Sequence, residues 1–124
     1  MKPVLINGEL WQVNRVSPGD PLLVDRTGNL RVATTDAATK SIHLSNELIP
    51  PVLDQVLLHE ITHAITVSYD LLPLLRAKIP RTSWIMAEEW SAELVEKYSI
   101  EAAILASEAL GRPLCIMGYC ITVV

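Results

Sequence analysis

The chain has 124 residues and a formal net charge of -4; half of its residues are hydrophobic and 19% are charged. This is the length of one domain with apolar material for a single core, and it excludes a disordered chain. Ten Lys and Arg scattered along an acidic chain also exclude the clustered basic footprint that nucleic-acid binding needs.

Met1 to Leu10 carries Lys2, Pro3, Asn7, Gly8 and Glu9, so it lacks the uninterrupted apolar stretch of a secretory signal. At the other end, Leu114 to Val124 is interrupted by Gly118 and is far shorter than the roughly 20 residues of a bilayer span. The expectation is a cytoplasmic protein with no membrane partner. Cys115 and Cys120 have no second pair to complete a zinc ribbon, and in that compartment they are expected to be free thiols.

From Val4 to Ser45 the chain alternates short strand candidates with turn signals at Asn7-Gly8, Pro18-Gly19-Asp20-Pro21 and Thr27-Gly28-Asn29. The candidates are Glu9 to Val16, Leu22 to Arg26, Leu30 to Thr34 and Ser41 to Ser45. In the last, Ile42 and Leu44 fall on one face and His43 on the other, the pattern of a half-buried edge strand.

Pro50-Pro51 suits a helix start, since the first turn needs no backbone donor. A helix is expected from about Val52 to Tyr69. At about 100° per residue, Leu57, Leu58, Ile61, Ala64, Ile65 and Ser68 form its core face, and Val56, His59, Glu60, His63 and Val67 form a second sector facing a site. Asp70 to Ser83, with Pro73 and Pro80, reads as a connection. Its Leu71, Leu72, Leu74 and Leu75 are a candidate surface for self-association or a lip over the cleft. Trp84 to Leu110 has no Pro or Gly and reads as the longest helix, stopped by Gly111 and Pro113. Residues 112–124 form a terminal strand or an apolar tail. The organisation is therefore one domain over 1–124, with strands in 1–50 and two long helices in 51–111.

His59-Glu60-Ile61-Thr62-His63 is an H-E-x-x-H sequence. Residues i and i+4 are neighbours on a helix, so two imidazoles can reach one Zn2+ at about 2.0–2.1 Å. Glu60 lies about 100° from His59 and about 60° from His63, placed to act on water rather than to ligate. A hydrolytic zinc site needs a third protein ligand. The second helix offers Glu88, Glu89, Glu93 and Glu96.

With these residues in view, the chain resembles the gluzincin metallopeptidases, zincins in which a helix after H-E-x-x-H carries the third ligand in a Glu-x-x-Ala context. Glu89-Trp90-Ser91-Ala92 matches that context. The resemblance implies Glu89 as the third ligand, with Glu93 or Glu96 supporting a ligand histidine and Glu88 an alternative. In size the chain is more similar to the compact ImmA/IrrE-type metallopeptidases. It departs from the first group in the long 64–88 spacer and in Glu88 where Asn is common, and from the second in Glu93 where Asn follows Ala.

The resemblance implies a minimal zincin-like α+β domain, a small, mainly antiparallel sheet packed on the H-E-x-x-H helix and a Glu-bearing helix. It implies one Zn2+ per chain and endopeptidase activity, hydrolysis of a peptide bond by zinc-bound water that Glu60 activates. In zincins an edge strand beside the metal helix pairs with an extended substrate, and Ile42, His43 and Leu44 are the candidate. Tyr69, His43 and Arg81 are candidates for stabilising the oxyanion. The alternative is a zinc-binding regulatory or protein-interaction module on the same fold without proteolysis.

Overall fold

The computed structural model describes residues 1–71, 73, 98–116 and 119–121. The first hairpin joins β1 (Val4–Ile6) to β2 (Glu9–Val16). Asn7 and Gly8 form its two-residue turn with φ of 48° and 77°, the left-handed geometry that makes Asn-Gly the preferred pair in such turns. Next come a 3-10 turn at Pro21–Leu23, β3 (Ala33–Asp36) and β4 (Ser41–Ser45). Helix α1 spans Val52–Ser68, helix α2 covers 98–110, and β5 (Leu114–Ile116) pairs with β6 (Tyr119–Ile121) as an antiparallel hairpin.

The fold is α+β. The four-stranded sheet has the order β1-β2-β4-β3 and is mixed: β2 and β4 run parallel, and the other two pairings are antiparallel. Trp11, Val13, Ile42 and Leu44 turn from the sheet into a core closed by Leu57, Ile61, Ala64 and Ile65 of α1 and by Ala102, Leu105, Ala106 and Ala109 of α2.

Both ends of α1 are fastened by polar contacts. At its C-terminal end the fully buried Trp11 donates its indole N–H to Ser68 Oγ at 2.7 Å, and Asn7 Nδ2 donates to Ser68 O. At its N-terminal end the buried Asp54 accepts two hydrogen bonds from the Arg112 guanidinium, at 2.7 and 2.8 Å, and one from Cys115 N. The Arg112 hydrogen bonds hold the Asp54 carboxyl below its usual range, against the opposing effect of burial.

Several expectations are corrected. Leu22 to Arg26 is not a strand: Pro21 and the Asp20 carboxylate, which accepts from Leu22 N, start a 3-10 turn there. Val24 forms an isolated antiparallel bridge with Leu30, and β3 begins at Ala33 rather than Leu30. The mainly antiparallel sheet also holds one parallel pairing, β2 with β4, which makes it mixed. β4 is interior, with all five residues buried, so it is not an edge strand.

Cys115 is disulfide-bonded rather than a free thiol, and it faces Cys120 across the β5/β6 register. Leu71 is buried, which removes it from any exposed leucine cluster, while Leu72, Leu74 and Leu75 lie outside the described residues, as does the expected helix from Trp84 up to 97. Among the described residues, no helix is long and apolar enough to cross a membrane.

Candidate metal centre

Helix α1 buries Leu57, Ile61, Ala64 and Ile65. This rotation turns His59 and His63, both exposed, towards a concavity of about 1140 Å³. Their Nε2 atoms lie 3.1 Å apart, with ring planes at 77°. Two nitrogens bound to one tetrahedral ion at about 2.0–2.1 Å would be about 3.3–3.4 Å apart. The separation of the two imidazole nitrogens is therefore close to that of a zinc-bound pair. Without metal, the same approach fits an imidazole N–H shared with the neighbouring ring nitrogen.

Glu60 follows His59 round the helix to a different environment. It is 8% exposed, and its Oε2 accepts from Thr35 Oγ1 at 2.5 Å. The same hydroxyl lies 3.2 Å from Glu60 O; its one proton goes to the closer, charged acceptor. Among the described residues Glu60 Oε1 has no hydrogen-bond partner, so the carboxylate is held by one oxygen and presents the other.

Thr35 belongs to β3, which is an edge strand of the sheet among the described residues and lies beside α1. Ser45 N donates to Val32 O at 2.8 Å, which makes Val32–Ser45 and, two residues on, Thr34–His43 the hydrogen-bonded pairs of the antiparallel ladder. Ala33 and Thr35 consequently turn their N–H and C=O groups outward, and among the described residues these groups are unpaired. Sequence reasoning missed Thr35. The usable signal was strand alternation, which puts Ala33 and Thr35 on the same face as the core residues Leu44 and Ile42 opposite them.

No family model, curated protein or solved structure matches the chain.

His59 and His63 meet on α1, and Glu60 lines the same concavity. Glu88, Glu89, Glu93 and Glu96 lie outside the described residues, and among the described residues no group of three His, Cys, Asp or Glu is placed to hold a metal. Ile42 and Leu44 are core residues whose strand is paired on both sides. His43 shares the face of Thr34, opposite to the one packed on α1, and lines the same concavity as the histidine pair; among the described residues its buried Nδ1 has no hydrogen-bond partner. Tyr69 donates its hydroxyl to Glu101 at 2.9 Å, a bond that raises its pKa and commits its proton elsewhere. Arg81 lies outside the described residues.

Proposed function

We propose that the chain is a zinc-dependent peptidase in which His59, His63 and Glu89 hold the metal and Glu60 is the general base. One observation carries this reading: two exposed imidazole nitrogens 3.1 Å apart on the same helix as a buried carboxylate that is anchored at Oε2 and open at Oε1. Bound zinc supplies Lewis acidity, which polarises a carbonyl and acidifies water. Glu60 Oε1 accepts the proton of the attacking water and returns it to the departing amine. Thr35 holds the carboxylate in place for both transfers.

β3 takes the substrate-pairing role in this reading. Its outward peptide groups at Ala33 and Thr35 match the donors and acceptors of an extended peptide. Thr35 thus joins two tasks, since its backbone faces the substrate and its side chain holds the base.

The test is metal dependence on a quenched-fluorescence library of unstructured decapeptides. Zinc-loaded protein is expected to cleave a subset, to stop when the metal is removed by chelation and to recover on adding one equivalent of Zn2+. His59→Ala, His63→Ala and Glu89→Ala should each weaken zinc binding, because three protein ligands become two. Cleavage unaffected by chelation would contradict the reading, and zinc affinity unchanged in Glu89→Ala would move the third ligand to another residue.

A further inference from the structure

The concavity that contains the histidine pair also contains apolar surface that peptide hydrolysis itself does not use. Leu22, Val24 and Val32 line it while 49%, 44% and 55% exposed. Single exposed aliphatics are ordinary, but three adjoining ones beside an unpaired strand edge form a patch of the kind that marks interaction sites.

Local hydrogen bonds preform this patch. Arg31 N donates to Leu23 O at 2.8 Å, and Val24 bridges Leu30. Asp25 secures the loop between them: Oδ1 accepts from Thr27 N, Thr27 Oγ1 and Asn29 N, and Oδ2 accepts from Arg31 Nε at 2.6 Å. Thr34 Oγ1 donates to Leu22 O at 2.6 Å, which fastens the patch to β3. A surface already held in shape loses little entropy when a ligand covers it.

Alternation in β3 fixes where the patch lies. Ala33 and Thr35 face α1, whereas Val32 and Thr34 face the other side of the sheet. A peptide paired to the outward groups of Ala33 and Thr35 would alternate in the same way, one set of side chains towards His59 and Glu60 and the other over Leu22, Val24 and Val32.

We infer that Leu22, Val24 and Val32 form a specificity shelf that selects extended peptides with large apolar side chains at alternating positions, those turned away from the metal helix. The inference rests on the peptidase reading and deepens it. Covering roughly 60 Å² of apolar surface at about 25 cal/mol per Å² corresponds to about tenfold in affinity.

The experiment uses zinc-loaded Glu60→Gln protein, which is expected to bind without turnover, and fluorescence anisotropy with two labelled decapeptides. One alternates Leu with Gln; in the other every Leu is replaced by Ser. The Leu peptide should bind more tightly, and Leu22→Ser/Val24→Ser should weaken it about tenfold while leaving the Ser peptide unchanged. Asp25→Ala, which loosens the loop without removing an apolar side chain, should weaken the Leu peptide by a smaller factor. Equal affinity for both peptides, or equal losses in both, overturns the shelf. If binding ignores the shelf while zinc-loaded Glu60 protein still cleaves peptides, the shelf falls and the peptidase reading stands. Shelf-dependent binding with no cleavage of either peptide by the Glu60 protein keeps the shelf and removes hydrolysis. A dimer in sedimentation that the double substitution abolishes would assign the surface to a second copy of the chain and overturn the peptide role.

Discussion

Thr35→Val replaces a hydroxyl by a methyl of nearly the same volume, so the packing of β3 on α1 should survive while Glu60 Oε2 loses its donor. A hydrogen bond to a charged group contributes about 1.5–3 kcal/mol, and Glu60 is 8% exposed, so water replaces the lost donor poorly. If that energy holds the carboxylate in its working position, kcat should fall by roughly 10- to 100-fold, since about 1.4 kcal/mol is a factor of ten. Zinc affinity should not change, because Thr35 hydrogen-bonds Glu60 and neither imidazole. Thr35→Ser keeps the hydroxyl and should recover most of the rate. The assay is steady-state cleavage of a peptide from the library, with zinc titration and thermal unfolding on the same samples. Wild-type kcat in Thr35→Val would refute the positioning role. So would equal impairment of the Ser and Val variants, or a loss of zinc that tracks the loss of rate.

Arg112→Ala leaves the Asp54 carboxylate buried without its cation. Breaking such a pair costs about 3–5 kcal/mol when both charges are buried, and Arg112 is 36% exposed, so about 2–3 kcal/mol is expected by urea unfolding. In the parent protein Asp54 has a lowered folded pKa, chiefly through its Arg112 hydrogen bonds, so its contribution is full above the ordinary carboxylate pKa near 4 and is lost as pH falls through the lower folded value. Urea unfolding between pH 6 and 2 should show this loss, and Arg112→Ala should flatten it; a parallel decline in both proteins would contradict the assignment. Ser68→Ala removes the acceptor of the buried Trp11 indole and should cost about 1–3 kcal/mol, with unchanged zinc affinity. No change in unfolding midpoint would show that Trp11 has another acceptor.

The parts of the fold that were legible in the sequence are those set by local pattern. Helix α1 was readable from its 3.6-residue apolar repeat after Pro50-Pro51, and β2 and β4 from their alternation and turn residues. Strand order was not readable. His43, Ser41 and Ser45 look like the solvent face of an edge strand, yet β4 is interior and all three are buried. A polar residue in an alternating run cannot report whether another segment covers it. The Leu22 to Arg26 run failed for a local reason, since Asp20 and Pro21 favour a capped turn over an extended start. At the site, the H-E-x-x-H spacing specified the contact between the histidines because both lie on one helix. Thr35 is 25 residues from Glu60, and their pairing follows only from the packing of β3 on α1.

The most direct test of the central claim is cleavage by zinc-loaded Glu60→Gln. Gln keeps the shape of Glu, and its amide oxygen can still accept from Thr35, but it cannot take a proton from water. A general base typically contributes 10²- to 10⁴-fold. A fall of at least a hundredfold in kcat is expected, with zinc stoichiometry and melting temperature close to those of the parent. Cleavage at the parent rate with zinc bound would contradict it and leave a metal-binding module whose carboxylate does no proton transfer.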